Sequence, residues 1–229
     1  MSKSFVLLTL AVILLILAAG CTSQKTQDTQ STVAIQTSVP LIDTGSMNTT
    51  FVGISSAPLN VTEINDILYL QEAEKAERDL FQEFYTRYNS VTLFNTMASG
   101  AAAYVKADDV ILARYNLTNP ENAQAGVYTN PRLQTMYTTA IDEGSISLSN
   151  ALQASAMSED MHIADLGAAI GRTDNQDLQY IYEKELDQSE NDLRLIVAQI
   201  QGFGGNYTPV YLTPVSYSAI ISNPGGYPS

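Results

Sequence analysis

The sequence predicts an all-α protein, a four-helix bundle with a short helical insert between its second and third long helices. Three observations carry this. From Val61 to Gln201 prolines are few and apolar residues recur at the 3.6-residue spacing of helices. Glycine, proline and small polar residues stand at the expected helix boundaries. No apolar/polar alternation of the strand type competes with this pattern in the core region.

The chain begins with an address. Lys3 precedes an apolar run, Phe5 to Ala19, too short for a typical membrane span and long enough for a signal-peptide core. The run closes on Leu17-Ala18-Ala19-Gly20-Cys21, where small residues before the one cysteine resemble a lipoprotein processing site. The expected organisation is a signal peptide (1–20), a Ser/Thr/Gln-rich flexible stalk (21–57), the helical bundle (58–202) and an irregular C-terminal tail (203–229). Cys21 is the expected lipidation position. The membrane is then the expected partner, reached through a lipid anchor, with the bundle at the cell surface or the extracytoplasmic face.

Within the bundle, Thr62, Asn65 and Asp66 can open a first helix that runs to about Tyr88. Steps of about 100° per residue put Ile67, Leu70, Ala73, Phe81, Phe84, Tyr85 and Tyr88 on one face. Glu72, Lys75, Asp79, Gln82 and Arg87 fall on the other. A second helix is expected from about Val91 to Arg114. Pro131 suits the first turn of a short helix, Arg132 to Glu143, ended by Gly144. Ser145 opens a third long helix to Ile170. Thr173 or Asp174 caps a fourth, to about Gln201, with Gly202 as its stop.

The same arithmetic places acids on apolar faces. Glu74 and Glu77 lie near the centre of the first, Asp108 on the second and Glu159 in the middle of the third. Ser189 is central on the fourth, with Glu185 and Asp192 at its margin. A buried carboxylate is costly unless it is paired, protonated or bound to metal. Arg78 and Arg194 are the candidate partners if these acids are merely paired. Glu159 and His162 form Glu-x-x-His, a spacing that puts both side chains on one face.

Composition narrows the class. The formal charge is −13, with 11 Lys and Arg against 24 Asp and Glu, which argues against nucleic acid as a partner. One cysteine excludes an intramolecular disulfide and any cysteine-based zinc or iron–sulfur site. No Ser-His-Asp order, phosphate loop or dinucleotide fingerprint occurs, and no catalytic residue is assigned.

Several short segments occur together: Gln71 to Asp79, Arg114-Tyr115-Asn116-Leu117, Val127 to Pro131, Ile163-Ala164-Asp165-Leu166 and Thr173-Asp174-Asn175. Together they resemble a ferritin-like domain of unknown function, numbered 2202, over roughly Leu59 to Leu212. The resemblance implies a ferritin-like bundle, which agrees with the helix count. It also implies a di-metal site of one Glu on each of two helices and Glu-x-x-His on each of the others. Glu74 and Glu159 fall at the acid positions. Ala101 and Tyr104 stand where the second helix would carry its acid and histidine, and Asp192 stands where the fourth would carry a histidine. An ordinary di-iron oxidase is therefore not expected. The expected function is a membrane-anchored, non-enzymatic binding or scaffold module with an eroded di-metal site. A protein partner or self-association is left open. The alternative is a mononuclear metal-binding or redox protein using Glu74, Glu159, His162 and Asp192 as ligands. The cofactor is then a single Fe or Mn ion, or none if Ala101 and Tyr104 fill the cavity.

Overall fold

The computed structural model describes residues 57–223 continuously, with Ile42, Asp43, Gly45, Met47, Phe51, Gly53 and Ile54 before them. The expected signal segment, Cys21 and most of the expected stalk lie outside the described residues. Among the described residues the protein is all-α, with no strand. Its elements are α1 (Val61–Arg87), α2 (Thr92–Arg114), α3 (Pro131–Gly144), α4 (Leu148–Ile170), α5 (Gln176–Gly202) and α6 (Pro214–Ser222). No helix of the described residues is long and apolar enough to cross a membrane.

Local chemistry sets the helix ends. Asn60 caps α1 by accepting from the backbone N–H of Thr62 and Glu63, and the Glu63 carboxylate returns the bond to Asn60 N at 2.8 Å. Asn130 caps α3, with Pro131 at its first position. Ser147, rather than Ser145, caps α4. The fourth long helix starts after Asn175, and Thr173 instead bonds Glu63 at 2.6 Å. Within the segment expected to be an irregular tail, Thr213 and Pro214 start the short helix α6.

The four long helices pack as two hairpins, α1 with α2 and α4 with α5; α1 also packs on α4 and α2 on α5. Tyr69 reaches Asp165, Glu74 reaches His162, Glu77 reaches Ser158 and Tyr88 reaches the carbonyl of Gly144. The α1 numbers rise as the α4 numbers fall, so α1 and α4 are antiparallel. Both hairpins turn through short loops, so α2 runs parallel to α4. That arrangement requires one long crossover, and residues 115–147, carrying α3, supply it.

The crossover corrects the expected solvent face of α1. Glu72, Lys75 and Asp79 are buried, not exposed. Glu72 accepts from Thr129 N, Thr129 Oγ1 and Asn130 N; Lys75 Nζ donates to Asp79 at 2.7 Å and to the carbonyls of Gln124 and Val127. Asp79 also accepts from Gly126 N and the Tyr128 hydroxyl. Gly126 sits at φ +76°, and an added Cβ would meet the Tyr137 ring at 2.9 Å. A helical wheel sees only one helix, so it cannot register a loop laid over it.

The apolar core divides in two. One cluster includes Leu80, Phe84, Phe94, Leu133, Leu152, Leu193 and Ile196. The other includes Ile67, Leu70, Tyr104, Ile111, Leu166, Leu178 and Ile181. Each long helix also buries polar residues: Glu74 and Glu77 on α1 and Glu185 and Ser189 on α5 stand between the two clusters, Asp108 on α2 lies among residues of the second, and Glu159 and His162 on α4 lie at the end of the first.

Candidate metal centre

The centre is built from spacings that each helix supplies by itself. Glu74 and Glu77 are three apart on α1, and Glu159 and His162 are three apart on α4, so each pair shares a face. Because α1 and α4 are antiparallel neighbours, the two pairs meet. His162 Nε2 lies 3.1 Å from Glu74 Oε1, and Ser158 Oγ donates to Glu77 Oε1 at 3.1 Å. Ligand atoms of Glu74, Glu77 and His162 all lie within 4.8 Å of one another, and all three residues are buried. This buried Glu-Glu-His group could bind a metal.

Asp192 and Ser189 on α5 face the same region. Asp192 accepts from Gln188 Nε2 at 2.9 Å, and the Ser189 hydroxyl supports Glu159. The electrostatics show how unrelieved the region is. Burial, then the charge of Asp192, pushes the Glu74 carboxyl well above the carboxylate range. Burial, then Glu77, Asp192 and Glu74, does the same to Glu159. Burial raises Glu77 to about 7, partly offset by His162. Burial raises Asp192 to about 7 as well. None of the described ion pairs brings a lysine or arginine to Glu74, Glu77, Glu159 or Asp192. Of the two candidate arginines, Arg78 is engaged with Asp79 and Glu121, and Arg194 pairs with Glu190 while its charge also acts on Asp192. Two donor atoms of the centre, Glu159 Oε2 and His162 Nδ1, are buried without a hydrogen-bond partner.

Residues 63–224 match the uncharacterized protein domain DUF2202. The chain belongs to the DUF2202 family. It is similar to the uncharacterized protein MJ0754 of Methanocaldococcus jannaschii, 32% identical over 167 residues, which is 72% of this chain and 90% of the relative. The crystal structure of the hypothetical protein MJ0754 from Methanococcus jannaschii DSM 2661 matches with a TM-score of 0.71 at 31% identity, covering 74% of this chain and 97% of that one. Every residue of the candidate centre lies inside the matched DUF2202 region.

Of the four ligands expected from sequence, Glu74 and His162 lie in direct contact across α1 and α4 in this DUF2202 domain. Glu159 and Asp192 are buried and act electrostatically on the same site. Ala101 is buried and offers no donor. The Tyr104 ring packs in the apolar cluster of Ile67 and Leu178, and its hydroxyl donates to the Lys184 carbonyl at 2.9 Å. The sequence reading left out Glu77 as a ligand. Its place on the apolar face was visible, but the family pattern of one acid on the first helix directed attention to Glu74. Asp108 and Glu185 were also passed over, although both are fully buried.

Proposed function

We propose that this DUF2202 protein is a ferritin-like metal-binding protein whose centre is held by Glu74, Glu77 and His162, with Glu159 and Asp192 completing it. Two antiparallel helical hairpins joined by a single long crossover support the ferritin-like reading, since that connectivity distinguishes ferritin-like bundles from simple up-and-down ones. The observation that carries the metal reading is the buried Glu74–Glu77–His162 triangle, with its spread of 4.8 Å. The unpartnered Glu159 Oε2 and His162 Nδ1 fit an ion as well.

The donor set is mostly carboxylate with one imidazole, which suits Fe(II) or Mn(II) better than Cu. A bound ion of that kind supplies Lewis-acid or one-electron chemistry. The chain's own residues do the rest. His162 is oriented by Glu74, and Ser158 fixes one oxygen of Glu77. The apolar clusters on either side keep bulk water from the donors. Carboxyls held protonated by burial must release protons as an ion enters, so affinity rises with pH. A purely scaffolding bundle gains nothing from these acids, because apolar residues of similar size would stabilise it more.

The sequence that closes on Cys21 supports placing this centre on the extracytoplasmic face, tethered by lipid. The experiment for the centre is metal content. The full chain, purified without chelator, carries at least one Fe or Mn per chain by plasma mass spectrometry. Glu77→Gln with His162→Gln removes it while leaving a cooperative melt. A folded wild-type chain that binds neither Fe(II) nor Mn(II), as purified or after reconstitution, overturns the reading.

A further inference from the structure

We infer that Asp108 and Glu185 form a second divalent-cation position, one to two helical turns from the second- and fourth-helix ligand positions that the family resemblance implies and this chain lacks. This deepens the metal reading and rests on it. The bond from the Tyr104 hydroxyl to the Lys184 carbonyl, 2.9 Å, pins α2 against α5. Asp108 stands one turn after Tyr104 and Glu185 directly after Lys184, so this contact brings the two acids together. Each carboxyl is within hydrogen-bonding reach of the other, and their four oxygens have no other partner. Both residues are 0% exposed.

An independent observation also points to a ligand. The Tyr182 hydroxyl is unpartnered although the residue is only 1% exposed. It lies one turn before Glu185, and Glu185 and Asp108 are the charges that act on it most strongly. A buried phenol hydroxyl nearly always has a partner. Here three buried polar side chains from two helices have no partner beyond one another. Two carboxylates match the charge of one divalent ion, and Mn(II) or Mg(II) accepts two carboxylates with water completing its shell.

The positions lost from the expected di-metal pattern, Ala101 and Tyr104 on α2 and Asp192 on α5, are separated from Asp108 and Glu185 by a turn or two of the same helices. The charge of Glu74 acts on both Asp108 and Glu185, which couples the second position to the first.

The test is Mn(II) stoichiometry. The full chain in mild detergent is stripped with chelator and titrated with Mn(II), with free ion read by electron paramagnetic resonance and heat by calorimetry. Two ions per wild-type chain and one in Asp108→Asn with Glu185→Gln is the expected result. One ion in both overturns the second position and leaves the centre at Glu74, Glu77 and His162 intact. No ion in the wild type overturns both. Loss of both ions in a folded double variant also overturns a separate position, because the pair then serves the first site. Should the double variant not fold, Asp108→Asn alone and the wild-type count decide: a single wild-type ion is sufficient refutation.

Discussion

The ion-free protein should lose stability as pH rises from 5 to 8, the opposite of a protein held by surface ion pairs. Glu77 moves from an ordinary 4.5 to about 7 on folding, and Asp192 from 3.8 to about 7. A raised carboxyl pKa means that the native state binds more protons than the unfolded chain between those two values. Stability then falls with increasing pH through that interval. At about 1.4 kcal/mol per pKa unit, the two groups cost about 3 and about 4 kcal/mol once both are ionised. The charge of Asp192 is part of the Glu77 figure, so the two are not independent and the sum is an upper bound.

For a domain of this size each kcal/mol moves the melting temperature by roughly 2–4 °C, so the drop from these two groups amounts to roughly 15–25 °C. The decline begins near pH 4.5 and continues above 7, because Glu74, Asp108, Glu159 and Glu185 are all raised further. Below pH 4.5 the sign reverses. Glu63 and Asp79 are held below their ordinary values by hydrogen bonds and Lys75, so protonating them removes stability. The ion-free protein is therefore most stable near pH 5. The assay is far-UV circular dichroism melting from pH 4 to 8.5 after chelator treatment. Glu77→Gln with Asp192→Asn should flatten the curve and raise the melting temperature at pH 8. Saturating Mn(II) should raise it more at pH 8 than at pH 5. An ion-free melting temperature that is flat or rising between pH 5 and 8, or amide variants less stable than wild type at pH 8, would refute the electrostatic argument.

Two other outcomes follow from different parts of the chain. Asp160→Asn should destabilise by about 2–3 kcal/mol in urea unfolding, by exposing donors that lose a charged acceptor. Asp160 accepts from the Tyr207 hydroxyl and from the backbone N–H of Val210, Tyr211 and Leu212, so those three amides should also lose hydrogen-exchange protection. Cys21→Ala should abolish incorporation of a labelled fatty acid or isoprenoid and release the protein from the membrane fraction; a variant still labelled and still membrane-bound refutes lipidation at Cys21.

The all-helical character was legible because periodicity reports burial, and burial here is mostly helix against helix. Helix ends were legible to within a few residues from their boundary residues, as with Pro131 and Gly202. What periodicity missed was whatever a loop does. Glu72, Lys75 and Asp79 looked solvated until the crossover covered them, and α6 hides in a segment with too few residues to show a period. The candidate centre was half legible. Glu74, Glu159 and His162 stood out as polar residues on apolar faces. Glu77, Asp108 and Glu185 stood out equally, but they gained meaning only once the antiparallel register of α1 and α4 and the α2–α5 contact brought them together.

The strongest argument for cations at the centre is the way this protein treats its other buried acids. Asp160 has four donors around one carboxylate. Glu72 has three, and Asp79 has Lys75, Arg78, Gly126 and Tyr128. Glu63 is met by Asn60, Thr173 and Asn175, and Asp177 by Arg114 and Tyr115. Wherever a carboxylate is buried to hold a loop or a helix end, the fold surrounds it with N–H and O–H groups. At the candidate centre the same fold supplies fewer: Gln188 meets Asp192, Ser189 supports Glu159 and His162 meets Glu74. Ser158 gives one bond to Glu77, and Glu159 Oε2, Asp108, Glu185 and the Tyr182 hydroxyl are left bare. A packing error does not recur on three helices of a bundle whose buried acids elsewhere are each met by donors. Arg194 eases Asp192, and in the reading proposed above metal ions, or the protons that they displace, supply the positive charge that the other acids lack.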